Sequence, residues 1–136
     1  MINLTSLNIE GLSTISKISN TNIEILNVAS CYHFDITTLD KNKITHLNLS
    51  KVNLTTNQIK YLREFHNLID LNLSWNSNLT DELFIDLLES LSNIKTVTVF
   101  GDFALTKKTA QFAYENRNRL RIIGNPSETG FLLDNI

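Results

Sequence analysis

The sequence predicts an α/β fold: a horseshoe segment of a solenoid, with a parallel sheet on the concave face and helices or turns on the convex face. Three observations predict it. Apolar residues open six segments, at Leu4, Ile23, Ile44, Leu68, Ile94 and Leu120, spaced 19, 21, 24, 26 and 26 residues apart. The first five open one pattern, an apolar residue followed by apolar residues three and five positions on: Leu4/Leu7/Ile9, Ile23/Leu26/Val28, Ile44/Leu47/Leu49, Leu68/Leu71/Leu73 and Ile94/Val97/Val99. The longer segments then continue into stretches with a capping threonine and a single apolar stripe at helical spacing.

That register is the register of a leucine-rich repeat, a short strand and a returning segment. One unit cannot bury its apolar face alone, so the stack of units is the core. The whole chain, 1–136, reads as a single domain of five repeats, with a truncated capping repeat from 120. Strands are expected near 7–9, 26–28, 47–49, 71–73 and 97–99. Alternation sends Leu7, Ile9, Leu26, Val28, Leu47, Leu49, Leu71, Leu73, Val97 and Val99 inward.

The first two return segments are short, so turns or brief helical pieces are expected at 13–18 and 36–41. In the third, Thr55-Thr56 caps a helix over about 56–66 with Ile59, Leu62 and Phe65 as its stripe. In the fourth, Thr80 caps a helix over about 81–91. Asp81 and Glu82 suit its positive end, and Leu83, Phe84, Leu87, Leu88 and Leu91 form its stripe. The fifth places Lys107 and Lys108 where a helix prefers anions, so the helix over about 107–117 is expected to start less firmly. Gly124, Asn125 and Pro126 then break the pattern, and Phe131, Leu132 and Leu133 are expected to fold back over the open end. No matching cap precedes Leu4, which leaves open that the chain is the C-terminal part of a longer solenoid.

Eight residues after each start stand Leu12, Cys31, Val52, Asn76 and Asp102. The chain turns there, and a hydrogen-bonding side chain is needed to satisfy stranded backbone groups. Cys31 in that slot reads as a buried structural thiol.

Composition excludes several function classes. The net charge of −2 does not advertise a nucleic-acid or membrane surface for the chain as a whole. The charge is uneven, however. Residues 1–93 carry a net −4, whereas 94–121 carry +4 through Lys95, Lys107, Lys108, Arg117, Arg119 and Arg121 against Asp102 and Glu115. A single cysteine permits no internal disulfide, and MINLTSLNIE has neither the basic nor the apolar region of a signal peptide. Asn48 and Asn72 head glycosylation triplets inside expected strands. A nuclear or cytoplasmic protein is expected, neither secreted nor membrane-spanning.

No catalytic constellation is visible. His33, His46 and His66 have no Cys or His at metal-ligand spacing, and four glycines build no phosphate loop. No catalytic, cofactor-binding or metal-ligating residue is therefore assigned. The candidate site is the concave face, where the outward strand positions form a polar column, Asn8, Asn27, Asn48 and Asn72, ending in Thr98. The residues assigned to partner binding are Asn27, His46, Asn48, Asp70, Asn72, Trp75 and Phe100. Exposed aromatics beside polar rungs are what a protein-binding hot spot requires, although turn packing explains Trp75 equally well. The alternative is a nucleic-acid-binding module whose docking surface is the basic end, Lys107, Lys108, Arg117, Arg119 and Arg121. A solvated charged surface explains those residues without any partner.

The later repeats resemble the cysteine-containing class of leucine-rich repeats found in F-box-type substrate receptors of ubiquitin ligases. The likeness rests on the 26-residue period and on LTDEL at 79–83, and covers about residues 23–123. More narrowly, VTVFGDFALT at 97–106 with LRIIGNPSETG at 120–130 is similar to the end of the leucine-rich-repeat subunit of the yeast global-genome nucleotide-excision-repair complex. That resemblance implies a non-catalytic scaffold, the C-terminal part of a repair or ubiquitin-ligase adaptor. It also implies partnership with a Swi2/Snf2-type ATPase or ubiquitin-ligase subunits, and leaves direct DNA contact open.

Overall fold

The computed structural model describes residues 4–19, 22–125 and 133–134. Its strands are β1 (Ser6–Asn8), β2 (Ile25–Asn27), β3 (His46–Asn48), β4 (Asp70–Asn72), β5 (Thr96–Phe100), β6 (Arg121–Asn125) and β7 (Leu133–Asp134). They form one sheet in chain order. The first six are parallel, each paired with the next, and β7 returns antiparallel to β6 through Ile123/Asp134 and Gly124/Leu133. The expected fold-back of Leu133 is thus seen in its backbone pairing, while Phe131 and Leu132 lie outside the described residues.

The helices are α1 (Thr56–Tyr61), extended by a 3-10 turn at Leu62–Glu64, α2 (Asp81–Ser90) and α3 (Lys107–Glu115). Each follows a strand and precedes the next, which is what parallel neighbours require. The shorter second return segment holds only a 3-10 turn at Ile36–Thr38, and in the first a turn covers residues 13–14.

Threonine starts each helix. Thr55 and Gln58 form a reciprocal capping box, and Thr80 accepts the Leu83 N–H. The anion missing from the first turn of α3 comes from the neighbouring helix. The Asp81 carboxylate at the start of α2 accepts the Thr106 N–H at 2.9 Å and the hydroxyls of Thr106 and Thr109. Burial works to raise the Asp81 pKa, but these hydrogen bonds outweigh it and hold the carboxyl below its ordinary value. The two lysines thus share the start of α3 with a buried carboxylate.

One sheet face is the core. Leu26, Leu47, Leu71, Val97 and Ile122 are buried in register, and Val28, Leu49, Leu73 and Val99 follow them into one apolar cluster with Phe34, Phe65 and Phe84. Every segment start from Ile23 to Leu120 is buried, but Leu4, at the edge of the sheet, is 36% exposed.

The strands begin one residue earlier than expected, and four of them end early for a reason in their sequence. The side-chain oxygens of Asn8, Asn27, Asn48 and Asn72 accept the backbone N–H two residues on, at 3.0, 2.9, 3.0 and 3.0 Å. This local turn competes with extended structure and stops each strand after three residues. Thr98 has no side-chain carbonyl. In its place the Phe100 N–H donates to the Ser74 hydroxyl at 3.0 Å, and β5 runs on to five residues paired with β6.

Candidate functional site

The sheet's second face carries the polar column. In register across it lie Asn8, Asn27, Asn48, Asn72 and Thr98, and beside them Ser6, Ile25, His46, Asp70, Thr96 and Arg121. This face bounds an open groove of about 360 Å³ lined by Asn8, Asn27, His46, Asn48, Asp70 and Asn72, among others. The local turns decide its chemistry. Because each asparagine oxygen is bonded to its own backbone, the column presents amide N–H₂ donors. Asn27 Nδ2 donates to Glu10 Oε1 at 3.0 Å. The amide nitrogens of Asn8, Asn48 and Asn72 have no partner among the described residues. The face therefore offers hydrogen-bond donors to acceptors on a ligand.

Phe100 shares the sheet face of Thr96 and Thr98, whereas Trp75 lies beyond the end of its strand. Phe100 is the last residue of β5, 37% exposed, and Trp75 lies in the turn after β4. Neither lines the groove of the asparagine column. The turns following β1 to β5 share one backbone feature, a left-handed residue: Gly11 (φ 79°), Ser30 (62°), Lys51 (57°), Trp75 (61°) and Gly101 (70°). The N–H groups of Gly11, Ser30, Lys51 and Trp75 donate to carbonyls of the next turn, at 2.8, 2.8, 3.0 and 2.8 Å. Glycine adopts this conformation freely, but a side chain costs about 1–2 kcal/mol there. Trp75 takes this conformation just past the end of β4, at the edge formed by the C-terminal ends of the strands. There its indole lies on Gly101 and meets the Phe103 ring edge-on at 5.8 Å between centroids.

Beside Trp75 the same edge holds Tyr32, Lys51 and Asn53, which sequence reasoning missed. Tyr32, Lys51, Asn53 and Trp75 bound an open cleft of about 350 Å³. The Lys51 ammonium stands 5.8 Å from the indole centroid. Tyr32, Trp75 and Phe103 are 52, 49 and 57% exposed, so three aromatic rings are half in water along one edge. A signal existed: Gly11 and Gly101 occupy the same repeat position as Lys51 and Trp75, and mark it as a left-handed turn.

The five basic residues lie at the two ends of α3 and at the start of β6. Lys107 and Lys108 open α3, and Lys108 pairs with Glu82 at 3.4 Å. Arg117 and Arg119 follow its far end, about 13 Å along the axis. Arg117 lies over the Tyr114 ring at 4.1 Å. Arg121 opens β6 beside Thr96 and so belongs to the polar sheet face.

The turn slot behaves as a structural device. Asn76, 1% exposed, accepts the Leu54 N–H through Oδ1, and its Nδ2 donates to the carbonyls of Leu49, Leu73 and Ser74. Cys31 is buried and its thiol donates to the Ile9 carbonyl at 3.2 Å; burial pushes its pKa up. Asp102 accepts the Asn76 N–H at 2.7 Å through Oδ1, while its Oδ2 is buried without a partner among the described residues. Leu12, in the first turn, is 50% exposed.

No set of three or more His, Cys, Asp or Glu side chains among the described residues is placed to hold a metal. No helix among them is long and apolar enough to cross a membrane. Comparison with protein-family models, with curated proteins and with solved structures found no match.

Proposed function

We propose that the chain is a non-catalytic leucine-rich-repeat scaffold, and that its polar sheet face binds another protein. In this reading the parallel strands line the concave side of a horseshoe segment, with the helices on the convex side. The observation that carries it is the donor column. Four asparagines in register have their oxygens committed to the backbone, which leaves uncharged N–H groups facing outward along an exposed sheet. Such a row suits the carbonyl and carboxylate acceptors of a protein surface. The narrower version rests on resemblance, of LTDEL at 79–83 and of VTVFGDFALT at 97–106 with LRIIGNPSETG at 120–130. It makes the chain the C-terminal part of a nucleotide-excision-repair or ubiquitin-ligase adaptor, working beside a Swi2/Snf2-type ATPase or ligase subunits in the nucleus or cytoplasm. The nucleic-acid reading has less support, because its two lysines and its three arginines lie toward opposite ends of α3.

Pull-down from nuclear extract tests the proposal. Asn48→Asp and Asn72→Asp keep the oxygen that closes the local turn and remove the outward amide donor, so they separate recognition from folding. A protein partner read by this face is lost with the pair and is only moderately salt-sensitive. A partner lost instead with Arg117, Arg119 and Arg121 to Ala, and falling away steeply between low and physiological salt, makes the proposal wrong in favour of phosphate contacts.

A further inference from the structure

We propose that the edge cleft of Tyr32, Lys51, Asn53 and Trp75 is a second recognition site, and that it takes an acidic peptide segment bearing an aromatic side chain. This goes beyond the sheet-face reading, since the cleft and the asparagine groove share no lining residue.

Shape and chemistry select the occupant together. The cleft is walled by two half-exposed rings, Tyr32 and Trp75, with a third, Phe103, against the indole. Aromatic walls of this kind gain most from a ring or other flat apolar group that removes them from water. The Trp75 ring is already held in place, by its left-handed backbone, by contact with Gly101 and by the edge of Phe103. A ring ordered before binding loses little freedom when a ligand covers it.

Lys51 supplies the charge preference. Its ammonium is the cation of the cleft, and among the described residues it forms no ion pair; the ion pairs there involve Lys41, Arg63 and Lys108. Beside it the Asn53 side chain adds an amide able to donate or accept. A carboxylate next to the bound ring meets both groups, whereas a cationic ligand meets repulsion from Lys51. A nucleic-acid strand is disfavoured, because its phosphates call for a basic track and the cleft holds one cation.

Nuclear magnetic resonance on the full, nitrogen-15-labelled chain tests this. Trp75 is the only tryptophan, so its indole N–H gives a single signal. The probes are a capped Asp-Glu-Phe-Asp-Glu peptide, its analogue with Ala for Phe, its analogue with Lys for every acid, and an oligothymidylate. The acidic aromatic peptide is expected to shift the indole signal and the Lys51 and Asn53 amides saturably. Both analogues are expected to bind several-fold more weakly. Lys51→Gln should weaken the first peptide several-fold, and Asn72→Asp should leave it unchanged. Four results overturn the proposal: no saturable shift at millimolar peptide, equal binding of the alanine or lysine analogue, loss of binding in Asn72→Asp, or a stronger response to oligothymidylate.

Discussion

The indole of Trp75 rests on the bare α-carbon of Gly101. A Cβ built at Gly101 falls 2.3 Å from Trp75 Cδ2 and Cε3, inside any tolerated contact. Both residues are left-handed, and they stand at the same position of successive turns. The glycine therefore does two things: it accepts a backbone conformation that side chains resist, and it makes room for the ring of the turn before it.

Gly101→Ala tests that pairing. The methyl must displace the indole and must adopt φ near 70°. A loss of about 1–2 kcal/mol is expected from the backbone alone. Because Trp75 is the sole tryptophan, its emission reports the displacement directly. An unchanged emission maximum together with an unchanged urea midpoint would show that the ring does not sit on the glycine.

The buried turn slot gives a second prediction. Asn76→Leu strands the Leu54 N–H and the carbonyls of Leu49, Leu73 and Ser74, so a loss of about 1–3 kcal/mol is expected. Leu71→Ala opens a cavity in the centre of the core and is expected to cost more, about 2–5 kcal/mol. Urea melts of both variants check the order. Asn76→Leu at native stability would mean that water serves those groups instead.

Asp102 predicts a pH dependence. Burial raises its pKa from 3.8 to about 8, against the opposing pull of the Asn76 N–H. The folded protein therefore keeps a proton that the unfolded chain releases. Stability from this group is complete below the unfolded value of 3.8 and is lost as pH rises through about 8. The slope is at most about 1.4 kcal/mol per pH unit. Protonated, Asp102 mimics an asparagine, with an O–H donor on the oxygen that otherwise lacks a partner. Asp102→Asn keeps a donor at every pH, so its advantage over the native chain should widen as pH is raised from about 4 to about 8. Urea midpoints for the two proteins that run parallel over that range would refute the assignment.

The fold was largely legible because its signals are local and periodic. The alternation Leu-x-Leu marked the buried positions Leu26/Val28 through Val97/Val99, and the capping threonines Thr55 and Thr80 marked two of the helix starts. The candidate site was legible only in part. The asparagine column could be read from spacing, but its side-chain direction could not. An asparagine amide is both donor and acceptor, and only the backbone's path shows which end is taken.

By itself, then, the sequence determined an α/β chain of consecutive strands, which face of each strand is buried, and where three helices begin. These follow from solvent exclusion of alternating apolar residues and from caps a few residues away, both short-range in sequence. The tertiary structure decided what lies 20 to 28 residues apart. It brought Asp81 to the start of α3 through Thr106 and Thr109, and placed Arg121 beside Thr96 on the sheet. It also set Trp75 on Gly101, with Lys51 beside its ring. Those contacts depend on how one turn stacks on the next, and stacking is set by backbone hydrogen bonds between turns that no single turn's residues encode.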